Sequence, residues 1–329
     1  MNTPRPDVTV IVPVFNRSAL AAKALASVAA AASGAVEVEI IVVDDGSNAP
    51  EAKALADIAS LASGSRVIRL EANAGPQVAR NAGMAQALGR YVKFLDSDDV
   101  LMPGMLAKEV HLADANATDV LVSRWLRADI DDVDLARAQQ GGPRPYAGNP
   151  YDSVLQGFGA AIAAVLYRRE AVQGIEWDPT LRHPDDWFFL IKVLMRKPKV
   201  FVSDLVVFTW VEHRGQRQSA TGMLDYARSR FRILEFLHAV MSEAGALTPA
   251  RRQALADYFF RDVYVAFRYD REHYRRILDR MATVAPGYRP RKRVEGNAVS
   301  FMARRMLGHR LYVPLHVFLG RLARGARVH

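Results

Sequence analysis

Along the first 125 residues, short apolar runs alternate with stretches of helical pattern. The runs at 8–12, 39–43, 67–70, 91–95 and 119–123 are rich in Val and Ile and apolar nearly throughout. That is the pattern of strands covered on both faces. Between them, 18–32, 50–62, 76–88 and 103–115 carry Ala, Leu and Lys at helical spacing. Pro50, Pro76 and Pro103 suit the first turn of a helix, where a missing N–H costs little. The rhythm predicts a mostly parallel, doubly wound α/β sheet. Residues 129–150 break it, and Gln-Gln-Gly-Gly-Pro-Arg-Pro at 139–145 reads as a loop, of the kind that forms lids or binding segments. A strand pattern returns at 160–167, a helix at 185–195 and a strand at 201–211. Beyond that the pattern is helical, at 223–244, 248–267 and 271–282. These readings divide the chain into a catalytic domain, 1–222, and a helical extension, 223–329.

With half of its 329 residues hydrophobic, the chain can build a full core. It has no cysteine, which excludes disulfides, thiolate metal sites and a cysteine nucleophile, and fits a reducing compartment. The N-terminus reads as the start of a strand rather than a signal peptide. No apolar run reaches the ~18 residues of a spanning helix. The expected location is therefore cytoplasmic. Charge changes the picture at the other end. Ten of the 44 Lys and Arg and one of the 35 Asp and Glu lie after Tyr288, so the body cancels at 34 each and the tail carries the whole net +9. Within 301–322 the basic residues are interleaved with Phe, Leu, Met and Val, and Pro314 interrupts any helix. Such a tail suits an anionic surface, with its apolar side at a membrane interface. The alternative is that its apolar side packs on the protein.

In an open parallel sheet, ligands bind at the carboxyl ends of the strands. After the first strand comes Pro13-Val14-Phe15-Asn16-Arg17. Asp44-Asp45-Gly46-Ser47 follows the second, Asn73-Ala74-Gly75-Pro76 the third and Asp96-Ser97-Asp98-Asp99 the fourth. Three carboxylates within four residues repel one another unless a cation neutralises them. A hard divalent ion does so with one or two carboxylates plus phosphate oxygens. An N-cap in a solvated acidic turn is the alternative. There is no Gly-x-Gly-x-x-Gly after the first strand and no phosphate-binding Gly-x-x-x-x-Gly-Lys-[Ser/Thr]. This weakens a dinucleotide-dependent oxidoreductase and a P-loop phosphotransferase. Asp185-Asp186-Trp187 opens a predicted helix. A carboxylate there can take a proton from an attacking hydroxyl, or cap the helix.

The segments VTVIVPVFNR (8–17), EIIVVDDGS (39–47), NAGPQVARNAG (73–83), GRYVKFLDSDDVLMPGML (89–106) and WDPTLRHPDDWFFLIKVL (177–194), with the weaker FTWVEHRGQRQS (208–219), occur in the order found in family 2 glycosyltransferases. The chain resembles that inverting family, of GT-A fold, over about 8–220. The resemblance implies a GT-A-like mostly parallel doubly wound sheet, to which this chain adds a C-terminal helical, basic extension. It further implies that Asp45 hydrogen-bonds the nucleotide base and that Pro13 and Phe15 line its pocket. Arg80 would lie near the base or phosphates, and Asn16, Asp96 and Ser97 complete the donor contacts. Asp98 is the foremost metal ligand, with Asp96 and His213 beside it, for a divalent Mn or Mg ion. The family's acidic pair is commonly Glu-Asp with the second member as base. That assigns Asp186, with Asp185, an Asp where Glu is usual, as the alternate. Read without the resemblance, Asp45 suits a turn before Gly46, Arg80 a solvated helix position, Asn81 a loop stabiliser and His213 an ordinary polar site.

The expected partners are a nucleotide-sugar donor, UDP-linked by default, and a glycan or lipid-linked acceptor. An anionic membrane surface would meet the tail, at the inner face, and no nucleic acid is expected. Two other readings compete: a sugar-nucleotide nucleotidyltransferase, and a non-catalytic scaffold that binds nucleotide or glycan. The first lacks a Gly-rich basic phosphate loop. The intact set Asp45, Asp96, Asp98 and Asp186 argues against the second.

Overall fold

The computed structural model describes residues 5–62, 64–129, 138–181, 183–212, 222–289 and 313. The chain divides into two compact units, Met1–Leu181 with Asp185–Arg217, and Arg182–Pro184 with Gln218–His329.

The first unit is built on β1 (Val8–Val14), α1 (Ser18–Ala32), β2 (Val38–Asp44), α2 (Ala49–Leu61), β3 (Ser65–Arg69), α3 (Pro76–Ala85) and β4 (Tyr91–Phe94). Every residue of β1 is buried, as its unbroken apolar run requires. β1 lies between β2 and β4, with β3 outside β2, and all these pairs are parallel. Pro50 and Pro76 fall in the first turns of α2 and α3, and the Asn48 side chain caps α2 by accepting from Glu51 N at 3.1 Å. α3 can press on the sheet because Gly83 has no side chain. A Cβ there would come within 2.5 Å of the Ile11 methyl group.

The chain continues through β5 (Val100–Leu101), α4 (Met105–Ala115), β6 (Val120–Asp129), β7 (Gln139–Gly141), α5 (Pro150–Leu155), β8 (Val165–Arg168), α6 (Arg169–Val172), α7 (Asp185–Met195) and β9 (Val200–Glu212). Among the described residues nine strands form one sheet, in the order β3-β2-β1-β4-β8-β6-β9-β5, with β7 on β6. The parallel character is that of the first four strands. β8 is antiparallel to both β4 and β6, β5 to β9 and β7 to β6, while β6 and β9 run parallel. The stretch 139–145, expected to be loop, opens with β7, and α5 begins at Pro150. Asn149 caps α5, accepting from the Tyr151 and Asp152 amides. Pro103 stands before α4, whose N-cap is Gly104.

Behind the carboxyl end of β4 lies an aromatic cluster. Trp177 stacks on Phe189 with centroids 4.3 Å apart, and Phe94 meets both edge-on. Asn81 of α3 fixes Trp177 by a two-way backbone clasp. Its amide donates to Trp177 O at 2.9 Å and its oxygen accepts from Trp177 N at 2.8 Å.

The second unit is helical: α8 (Met223–Glu243), α9 (Pro249–Phe260), α10 (Val263–Tyr269) and α11 (Arg271–Val284). Phe231, Leu234, Leu237, Leu255, Phe259 and Ile277 are buried. The helix expected over 248–267 is two helices, parted at Arg261-Asp262, where Asp262 receives the guanidinium of Arg230. Among the described residues no helix is long and apolar enough to cross a membrane.

Candidate active site

Loops at the carboxyl ends of β1 and β2 are tied together. Asn16, in the left-handed region at φ +52°, donates its amide to Ser47 Oγ at 2.9 Å, and its side-chain oxygen accepts from Asn48 N at 2.9 Å. Pro13 is buried within β1, whereas Phe15 is 41% exposed beside it. Asp44 ends β2 buried, paired with Arg69 at 2.6 Å and accepting from Ser47 N at 2.9 Å. Asp45, also buried, turns to the next loop. Its two oxygens accept from Ala74 N at 2.8 Å and Gly75 N at 2.9 Å. Gly46 between them is at φ +71°, and a Cβ there would lie 2.5 Å from the Ala72 backbone. Asp45 thus shapes the entry to α3, in keeping with an acid in an Asp-Gly turn.

α3 then carries Arg80 to the centre of the acidic group. The Arg80 side chain is only 6% exposed. Its Nη2 donates to Asp96 Oδ1 at 2.6 Å and its Nη1 to Asp185 Oδ2 at 2.9 Å. Its guanidinium carbon lies 4.6 Å from the centre of the Trp177 ring. Gln77, one turn earlier, donates to the same Asp185 oxygen at 2.9 Å. The structure therefore brings the adjacent Asp185 and Asp186 to Arg80 and Asp96, about a hundred residues earlier in the chain. A solvated position for Arg80 is excluded.

Asp186 follows at the head of α7, accepting from Trp187 N at 2.7 Å. Among the described residues no side chain hydrogen-bonds to it. Burial, reinforced by the charge of Asp185, pushes its carboxyl up to about 7, against the pull of Arg80. Burial would lower the Arg80 pKa, but Asp96, Asp185 and Asp186 together hold it above its ordinary value. The phenol of Tyr167 is raised, by burial first and then by the Asp186 charge.

In the turn after β4, Asp96 and Asp98 are part-exposed, while Ser97 and Asp99 are buried. Asp98 Oδ2 accepts from Arg17 Nη1 at 2.9 Å, and Asp99 Oδ1 accepts from Val211 N at 3.3 Å. Among the described residues no three His, Asp or Glu side chains form a ready metal cage. His213 lies outside the described residues. The donor set still fits a divalent ion: two hard carboxylates at a strand's carboxyl end suffice when a diphosphate and water supply the rest. Arg17 supplies a counter-charge to Asp98, in the place a divalent ion would take. Arg17 and Gln77 stand within the resembling segments but carried no chemical signal of their own. Only the tertiary arrangement brings them to the acids.

The sequence pattern of glycosyl transferase family 2 matches residues 9–175, just over half the chain. The chain belongs to this family of glycosyltransferases. A relative is the succinoglycan biosynthesis protein ExoO of Rhizobium meliloti, 34% identical over 143 residues, which are 41% of this chain and 40% of ExoO. The match therefore spans less than half of that relative. Among solved structures, S. aureus TarS in complex with UDP-GlcNAc aligns with a TM-score of 0.62 at 20% identity, covering 88% of this chain and 82% of that one. A mannosyltransferase of Pyrobaculum calidifontis in complex with GDP-Man and Mn2+ aligns with a TM-score of 0.52 at 17% identity, covering 86% and 81%. At these identities the likeness is one of fold: a GT-A-like α/β unit with a helical C-terminal region.

Proposed function

We propose that the protein transfers one sugar from a nucleoside-diphosphate donor, UDP-linked by default, to a hydroxyl of a glycan or lipid-linked acceptor, with inversion. The observation that carries this reading is the asymmetry of the acidic pair. Asp185 is held by Arg80 and Gln77, whereas Asp186 keeps a carboxylate of raised basicity with only a backbone amide upon it. Asp186 takes the acceptor proton as its oxygen attacks the anomeric carbon from the face opposite the diphosphate. One displacement inverts the centre, and no second carboxylate nucleophile is needed. Asp98, with Asp96, would hold a Mn or Mg ion. When bound, it supplies Lewis-acid stabilisation of charge on the diphosphate, worth several kcal/mol. Asn16, Phe15, Pro13, Ser97 and Asp45 would shape the nucleotide side. His213 stays in this proposal as a metal-side residue.

Polysaccharide assembly is the setting that the name of ExoO favours. The basic tail would attach the enzyme to the anionic inner face of the membrane, where a lipid-linked acceptor is available. The catalytic region would be 1–222 and the attachment region 223–329.

The test is a donor panel of UDP-glucose, UDP-galactose, UDP-GlcNAc and GDP-mannose with Mn2+, read by nucleoside diphosphate release. The expected result is release from one donor, lost on chelation and in Asp98→Asn. Release of pyrophosphate would support a nucleotidyltransferase, and no turnover with any donor would support a binding scaffold. Full activity in excess chelator would contradict the metal assignment.

A further inference from the structure

Arg80 is expected from the family resemblance to meet the nucleotide base or the phosphates. Its surroundings engage both ends of the guanidinium within the protein. Nη1 and Nη2 each end on a carboxylate, at 2.9 and 2.6 Å. Nε is buried with no hydrogen-bond partner. The plane of the group is backed by Trp177. Leaving a buried donor unpaired costs free energy, so something else must fix this arrangement. α3 shows what does. Asn81, the next residue, clasps the Trp177 backbone in both directions, and Gln77, one turn before, donates to Asp185 and to Leu181 O. Two residues of the same helix thus hold the ring beneath Arg80 and the carboxylate in front of it.

We propose that Arg80 is a positioning residue that holds Asp185 out of the base role and ties the acidic pair at the head of α7 to the carboxylate turn after β4. This rests on the glycosyltransferase reading with Asp186 as base. The geometry separates the two acids. Asp185 Oδ2 receives two donors from α3, which fixes its rotamer. Asp186 has only its neighbour's amide and can turn toward an acceptor hydroxyl. A lysine cannot substitute, because one ammonium does not reproduce a planar fork between two carboxylates.

The groups that face Asp186 are Asp185 beside it on α7, Arg80 from α3, Asp96 from the turn after β4 and Tyr167 from β8. Arg80 is the cation among them. Its removal leaves three acids without that counter-charge and releases Asp185.

The test uses the full chain, the panel donor that the wild type turns over best and that donor's own nucleoside diphosphate. In Arg80→Lys and Arg80→Met, kcat should fall roughly a hundredfold, the scale of a misplaced reacting group. Nucleoside diphosphate affinity by calorimetry should stay within about threefold, since uniform binding is untouched. The acid limb of kcat/KM should move to higher pH in Arg80→Met. It should move to lower pH in Asp185→Asn, which keeps measurable turnover. Weakened nucleotide binding with kcat preserved would make Arg80 a nucleotide contact and overturn the proposal. So would a dead Asp185→Asn, which would make Asp185 the base. Should the Arg80 variants not fold, Asp185→Asn decides alone: an active enzyme with a lowered acid limb supports the proposal, and an unmoved limb overturns it. A wild type that turns over no donor fails the underlying reading. An active wild type with unaffected Arg80 variants fails this inference only.

Discussion

Two adjacent aspartates with the same side chain behave differently because of what their neighbours donate. Asp185 is paired and Asp186 is pushed up to about 7, first by burial and then by the Asp185 charge. A base works in its ionised form, so kcat/KM should rise with pH through about 7 and level off above it. Asp186→Asn should lower kcat by roughly a hundred- to ten-thousand-fold while donor affinity is kept. Stability has the opposite sign. A carboxyl whose folded pKa is raised favours folding in its protonated form, and that contribution is lost as pH climbs from the unfolded value toward about 7. Asp186→Asn should therefore be more stable than wild type at pH 8, the advantage vanishing near pH 4. Denaturant titrations at the two pH values check this, and equal stability at pH 8 would contradict the raised carboxyl. Both acids were legible in Asp185-Asp186-Trp187, because an acidic pair before an aromatic helix is a local pattern. The partners of Arg80 were not. Its two ion pairs join positions 16 and 105 residues away, a pairing that only the fold creates.

At the scale of elements, the β4–α4 contact contains a fully buried ion pair. Lys93 Nζ donates to both oxygens of Glu109, at 2.8 and 2.9 Å, with Ser123 of β6 and Ser203 of β9 hydrogen-bonded beside it. Burial pushes Glu109 up although Lys93 opposes it. Removing one partner leaves the other charge unpaired in the core. Glu109→Ala should cost about 3–5 kcal/mol, while Lys93→Met with Glu109→Leu together should lie near wild type. Equilibrium denaturation measures both, and a mild single variant would contradict the account. Sequence pattern served the longer elements well: α1 is found at Ser18–Ala32, where helical spacing puts it. It missed β5 and β7, whose two and three residues are too short to show a period. It also ran α9 into α10. The apolar spacing continues across residues 261–262, and the break depends on Arg230 reaching Asp262 from another helix.

For the molecule as a whole, charge is segregated, with the net +9 after Tyr288. Most of that tail lies outside the described residues. Val313 within it is buried, so this one apolar side chain packs in the protein. Each basic residue near an anionic surface contributes roughly 1 kcal/mol, screened by salt. The full chain should sediment with anionic vesicles at low salt, and a chain lacking 297–329 should not. A full chain that ignores such vesicles would turn the charge toward a polyanionic glycan acceptor. Inversion by a single displacement can be tested without knowing the acceptor. When the preferred donor is hydrolysed slowly by the enzyme, water takes the acceptor's place. Proton NMR of the first sugar released, read before mutarotation, should show the β anomer from an α-linked donor. The α anomer as first product would contradict the account.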